Sequence, residues 1–340
     1  MLNFFDQKLR DELLAKRKGE SKIGQNLAFV NSLDELESRE EKYVLLGIKE
    51  DIGIRANLGL GGASNTWDFT LKALLNVQSN KFLSGREFLI LGSLEFPDLM
   101  KSSESLKPSD PADLELLRNY TASLDQMVQS TLLKIKEYGK TPIIIGGGHN
   151  NSYPAISSSS MVLKEPIPVI NIDPHADYRS LEGRHSGNGF SYARKDGYLG
   201  KYAVFGLHES YNSSAILDQF FSDSQLWFQS FESLLWRDHK ELDALFKNAL
   251  NWLGNQEIGL ELDLDSISNF PVSALNPSGF DLNSIRHFIR SASSLKNCHY
   301  FHICEGSVGR ASNQKEIDLL AKSIAYLISD FIKCSSQKRF

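Results

Sequence analysis

With 340 residues, 41% apolar and 23% charged, the chain has the make-up of a globular protein and the length for one large core. Its net charge of -5, from 37 basic and 42 acidic side chains, argues against nucleic acid or an anionic membrane as partner, since either would call for clustered positive charge. Three cysteines, Cys298, Cys304 and Cys334, form no close pair, which fits buried free thiols in a reducing compartment.

The first twenty residues alternate charged and apolar side chains, among them Phe4, Phe5, Leu9, Leu13 and Leu14. They lack the continuous apolar core of a signal peptide, and residues 1–40 read as an N-terminal helical extension ahead of a single domain, 41–340. The basic stretches Lys16–Lys22 and Lys338-Arg339 are short and interleaved with Glu or polar residues, so both read as solvated surface. No segment approaches the roughly 18 apolar residues of a membrane span; a cytoplasmic protein is expected.

From residue 43 onward, short apolar runs recur: Tyr43–Ile48, Glu87–Leu94, Pro142–Ile145, Ile167–Asp173, Tyr202–Leu207, Leu226–Phe228, Glu257–Asp265 and Cys298–Cys304. Several are apolar on both faces, the mark of a parallel sheet covered on both sides. Between them, Leu114–Tyr138, Leu242–Leu253, Leu282–Ala292 and Ile317–Ile332 show helical spacing. This alternation predicts an α/β fold, a three-layer α/β/α sandwich around a mostly parallel sheet of about eight strands. Ligands in such folds sit beyond the carboxyl ends of the strands.

Three clusters of chemically active side chains fall at such ends. The first is Gly146-Gly147-Gly148-His149-Asn150, after the Pro142–Ile145 run. Its glycines permit a tight turn that presents His149, and the missing Gly-Lys-Ser/Thr ending excludes a phosphate-binding P-loop. The second is Asp173, His175 and Asp177, alternate positions that share a face if the backbone stays extended. The third is Glu261, Asp263 and Asp265, alternating with Leu260, Leu262 and Leu264. Three carboxylates on one face repel one another unless cations neutralise them, and no Lys or Arg lies nearby in sequence. His149, Asp173, His175, Asp177, Asp263 and Asp265 together supply two imidazoles and four carboxylates. Hard oxygens with imidazole suit Mn, Mg or Fe, and the number suits two ions sharing bridging carboxylates.

These motifs, in this order and spacing, resemble the ureohydrolase superfamily of arginase, agmatinase and formimidoylglutamase over about residues 43–330. The resemblance implies the arginase-like fold, two Mn2+ per subunit and a homo-oligomer. It implies that His149 and Asp177 hold one ion, His175 and Asp265 the other, and that Asp173 and Asp263 bridge. It further implies that a hydroxide between the ions, oriented by Asp177, attacks the carbon of an amidino or guanidino group. Glu305 matches the family glutamate that pairs with the substrate's cationic nitrogen. Glu261 stands where the family has Ser, Ser268-Asn269 where it has a closing Asp-Pro, Gly148 where it has Asp and Pro174 where it has Ala.

Within the superfamily, arginase carries a histidine at the position of Phe190, whereas formimidoylglutamase has Phe there, in a pattern close to Ser186-Gly187-Asn188-Gly189-Phe190. The stretches Glu50–Asn57, Val204–Leu207 with Asn212, and Val272-Ser273-Ala274 lean the same way. The expected substrate is then N-formimino-L-glutamate, cleaved to glutamate and formamide. Its two carboxylates call for basic partners: Arg179, two residues past Asp177, is the first choice, Arg55 and Arg184 follow, and Asn188 is a further expected contact. His185 reads as a solvent-exposed loop residue, and His208 has no assigned role. Hydrolysis of another guanidino or amidino acid, a metal-binding member without activity, and a two-metal phosphatase are the competing readings.

Overall fold

Val, Ile and Leu favour the pleated, half-buried surface of a strand, and their runs in this chain condense into one sheet. In the computed structural model, which describes residues 1–336, ten strands form it: β1 (Leu2–Phe4), β2 (Ala28–Phe29), β3 (Tyr43–Lys49), β4 (Phe88–Glu95), β5 (Thr141–Ile145), β6 (Ile167–Ile172), β7 (Leu199–Leu207), β8 (Leu226–Ser230), β9 (Ile258–Asp263) and β10 (Cys298–Cys304). Their order across the sheet is β1-β4-β3-β5-β10-β9-β6-β7-β8, with β2 also pairing β4. Only the β1–β4 pairing is antiparallel. All eight expected strands are present, and each boundary lies within three residues of the expected one.

The remaining two strands correct the reading of residues 1–40 as a helical extension. One α-helix, Gln7–Leu13, does form there, but β1 and β2 flank it and both dock on β4. Segments of three and two residues are too short to carry a period, so pairing partners rather than pattern decide them. The basic pair Lys338-Arg339 lies outside the described residues.

The long strands alternate their side chains between two layers. In β3, Tyr43 and Leu45 enter one core while Val44, Leu46 and Ile48 enter the other. The first core is covered by helices Thr66–Leu75, His239–Trp252, Leu282–Leu295 and Gln314–Ser336, the second by Pro111–Glu137, Ser152–Leu163, Gly189–Lys195 and Ser214–Ser222. Among the described residues, no helix is long and apolar enough to cross a membrane.

The chain runs outward from β3 to β4, returns to β5, then skips across to β6 and continues to the opposite edge. The gap left between β5 and β6 is filled last, by β9 and β10. The carboxyl ends of β5, β10, β9 and β6 are therefore neighbours at the centre of the sheet, and they draw on chain from Ile145 to Cys304.

Candidate metal centre

The turn after β5 is built to place one imidazole. Gly146 and Gly147 sit at φ +90° and +71°, in the left-handed region that side chains resist. A Cβ on Gly147 would meet Asn151 Nδ2 at 2.4 Å. Fully buried Glu50 pins the turn by accepting from Gly148 N (3.1 Å) and Asn151 Nδ2 (2.8 Å). His149 Nδ1 thereby comes to 2.8 Å from Asp177, 3.2 Å from Asp173 and 3.3 Å from Asp263, each measured to Oδ2. Phe190 packs edge-on to the ring at 5.1 Å between centroids. The position that carries histidine in arginase is thus an apolar wall.

Asp173, His175 and Asp177 do converge, but not through strand periodicity. Strand β6 stops at Ile172, and residues 173–179 are irregular. The loop curls because Asp173 Oδ1 accepts the His175 N–H at 2.7 Å, and because Asn212 and the Tyr202 hydroxyl hold the backbone of Pro174 and Ala176. Asp177 itself adopts φ +45°. In the third cluster, β9 ends at Asp263 and Asp265 lies in a 3-10 turn whose N–H donates to Asp263 Oδ1 at 2.8 Å. The shared-face argument holds for Glu261 and Asp263 alone. His175 Nδ1 lies 3.4 Å from Asp173 and 3.7 Å from Asp265, so all six expected ligands assemble at one place.

This donor set fits divalent cations. His149 Nδ1 is fully buried and meets hydrogen-bond geometry with none of the carboxylates around it, and Asp265 Oδ1 is likewise unpartnered. Buried polar atoms rarely stay unpaired. Among the described residues, no lysine or arginine pairs with Asp173, Asp177, Asp263 or Asp265. The electrostatics say the same. Burial and the Asp173 charge push Asp263 up to about 7, and burial with Asp263 and Glu305 raises Asp265 well above the carboxylate range. Burial opposes a charge on His175, but the Asp173 hydrogen bond and the surrounding carboxylates push it up to about 9. Without metal the cluster must keep protons; cations replace them.

Glu305 follows β10 at φ +63° and is buried, with Oε1 accepting the His149 N–H at 2.9 Å. Burial and the Asp263 charge raise its pKa well above the usual value. Two residues of the site, Asp177 and Glu305, thus hold a backbone conformation that costs about 1–3 kcal/mol each. His175, Asp177, Asp263, Asp265 and Glu305 form the floor of a cavity of about 900 Å³. Arg179, Lys195, Tyr211, Ser186, Asn57 and Ser273 stand on its walls. Tyr211 stacks on His175 at 5.5 Å. Neither Tyr211 nor Lys195 carries a signal in sequence, because each reaches the cavity from a helix or loop far along the chain.

Three of the expected substrate contacts are spent elsewhere. The Arg55 guanidinium caps Ser103 and the carbonyl of Leu106. Asn188 is fully buried, donating to the Ser180 and Gly183 carbonyls and accepting from Arg184 and His185. Arg184 is buried against Asp125 at 2.7 Å. Arg184 and Asn188 shape the 176–188 loop and Arg55 the 103–106 turn, since segments with several backbone groups to satisfy consume nearby polar side chains first. His185, expected in solvent, is fully buried; burial and then the Arg179 and Arg118 charges push it down to about 3. His208 stacks between Tyr211 and Phe231.

The arrangement of a buried acidic centre under an open cavity, on a ten-stranded sheet in this order, has known relatives. The profile of the arginase family matches residues 86–329. A formimidoylglutamase of Streptococcus pyogenes serotype M12 is 25% identical over 301 residues, covering 84% of each chain. The fold matches formimidoylglutamase from Bacillus subtilis with a TM-score of 0.75 at 17% identity, over 96% of this chain and 95% of that one. It matches Trypanosoma cruzi formiminoglutamase, solved with Mn2+, with a TM-score of 0.72 at 17% identity, over 94% and 99%. Sequence profile, architecture and the ring of carboxylates around His149 agree: the chain belongs to the arginase family, hydrolases of carbon–nitrogen bonds in amidines.

Proposed function

We propose that this chain hydrolyses N-formimino-L-glutamate to glutamate and formamide at a centre holding two Mn2+ ions. The observation that carries the reading is the convergence of His149, Asp173, Asp177 and Asp263 within 4.8 Å of one another, beneath a cavity with Glu305 on its floor and Arg179 on its wall. The relatives named formimidoylglutamase support the choice of substrate. His149, His175, Asp173, Asp177, Asp263 and Asp265 would hold the ions. Bound there, such a pair neutralises the carboxylates and supplies a water acidic enough to attack near neutral pH.

The protein groups have separable tasks. Glu305 accepts hydrogen bonds from the amidinium N–H groups and so favours a cation over a neutral amide. Asp177 orients the attacking water and passes its proton to the departing nitrogen, which leaves as the amine of glutamate. Arg179 receives a substrate carboxylate from the cavity wall; among the described residues its guanidinium pairs with the exposed Glu182 at 3.3 Å. Lys195, exposed on the same wall, serves the second carboxylate.

The test is a substrate panel with manganese-loaded protein in which formamide, urea and ammonia are read separately. Formamide released from formiminoglutamate is the expected result. Asp263→Asn should lower the rate by more than the roughly 10–100-fold of a change outside the metal ligands. Urea from a guanidino substrate as the main product would reassign the substrate, and bound manganese without turnover of any amidino or guanidino compound would remove the activity.

A further inference from the structure

Behind His149, on the side away from the cavity, lies a buried polar group that the proposed chemistry does not use. Glu261 is fully buried on central strand β9 and shares a face with Asp263. An ionised carboxylate in such a place is costly unless several partners hold it. It has them. The Tyr300 hydroxyl donates to Oε1 at 2.8 Å, and His302 Nδ1 lies 2.7 Å from Oε2. Both come from β10, where His302 is the direct register partner of Glu261. The third neighbour is His149, whose Nε2 stands 3.4 Å from the same Oε2 and meets hydrogen-bond geometry with no group.

The layer behind this group holds a buried lysine. Lys136, buried at 3% exposure, sits 4.8 Å over the Tyr300 ring. Its Nζ donates to the Ala155 carbonyl and to the hydroxyls of Ser158 and Ser159, and burial pushes its pKa well below the usual lysine value. Two serines of the run 157–160, unremarkable as sequence, thus hold that amine, while Ser157 accepts from Gln129 at 2.6 Å.

We infer that Glu261, held by Tyr300 and His302, is a positioning residue that accepts the Nε2–H of His149 and so turns the Nδ1 lone pair toward the ions. The inference rests on reading His149 as a metal ligand. A carboxylate behind a ligating imidazole fixes its tautomer and ring orientation. The present separation exceeds a good hydrogen bond, and a ring shift of about 0.5 Å brings it to the usual N–H···O distance. The family's Ser at this position offers a neutral hydroxyl; this chain offers a charge.

The experiment measures the dissociation constant of Mn2+ itself, by chelator competition on metal-free protein, together with the melting temperature of the metal-free form. Glu261→Gln should weaken Mn2+ binding about 10–100-fold, and Tyr300→Phe should weaken it in the same direction by less. In a His149→Asn background, Glu261→Gln should have no further effect, because its action runs through that ring. Unchanged affinity in Glu261→Gln overturns the inference, as does an equal loss in both backgrounds, which marks a general structural role. If Glu261→Gln does not fold, Tyr300→Phe with wild-type affinity overturns it alone. A wild-type chain that binds no Mn2+ removes the metal reading first, a result distinct from these.

Discussion

Replacing Asp125 by Ala tests how the 176–188 loop is anchored. Asp125 and Arg184 are 4% and 6% exposed and meet at 2.7 Å, joining helix Pro111–Glu137 to the loop that carries Asp177 and Arg179. Arg184 also donates to the Asn150 carbonyl at 3.0 Å, next to His149, and stacks near Tyr153 and Tyr192. Removing the acid leaves a buried, unpaired guanidinium, at a cost of about 3–5 kcal/mol. The entropy of unfolding is about 2.1 cal/mol/K per residue, which for this length is roughly 0.7 kcal/mol/K. The melting temperature should therefore fall by about 4–7 °C in a scanning calorimeter. Asp125→Leu combined with Arg184→Met should recover most of the loss, since an apolar pair carries no desolvation cost. A single variant that melts within about 1 °C of the parent, or a double variant no better than the single, would show that the pair does not anchor the loop.

Chelation of metal-loaded protein should lower the melting temperature. Two ions, each at about 100 times its dissociation constant, contribute roughly 5 kcal/mol, or about 8 °C; identical melts with EDTA and with Mn2+ would contradict a metal centre. Arg179→Met should raise KM for formiminoglutamate about 5–30-fold, the equivalent of ~1–2 kcal/mol, with little change in kcat. A loss confined to kcat would place Arg179 elsewhere in the reaction. His299 is pushed down from 6.5 to about 3 by burial and the Lys136 charge. Between those values the unfolded chain binds a proton that the folded one refuses, so stability is full above pH 6.5 and is lost as pH falls below it. At pH 4.5 this amounts to at most about 3 kcal/mol. His299→Gln should flatten the fall in urea midpoint between pH 7.5 and 4.5, and equal falls in both proteins would refute the assignment.

Much of the architecture was legible because its signals are local. The β-branched runs Ile143–Ile145 and Val169–Ile172 and the glycine turn at 146–148 declare strands and a bend without reference to the rest of the chain. Carboxylates such as Asp173 and Asp263, set beside the imidazole of His175, point to a cation by their chemistry and mutual repulsion. What local signals do not encode is direction once the strand ends. The extended-strand argument for Asp177 and Asp265 gave the wrong geometry, since both lie beyond the strand ends in bends where the Asp173 and Asp263 carboxylates accept backbone N–H groups. Arg55, Arg184 and Asn188 show the same limit: a basic or amide side chain beside a motif serves whichever neighbour is nearest in three dimensions, and here those are Ser103, Asp125 and the Gly183 carbonyl. Where Lys136 and Glu261 sit came only from the fold, because packing β9 and β10 between β5 and β6 is a long-range event. Residue type sets which chemistry is available, whereas the closing of that central gap sets which atoms meet.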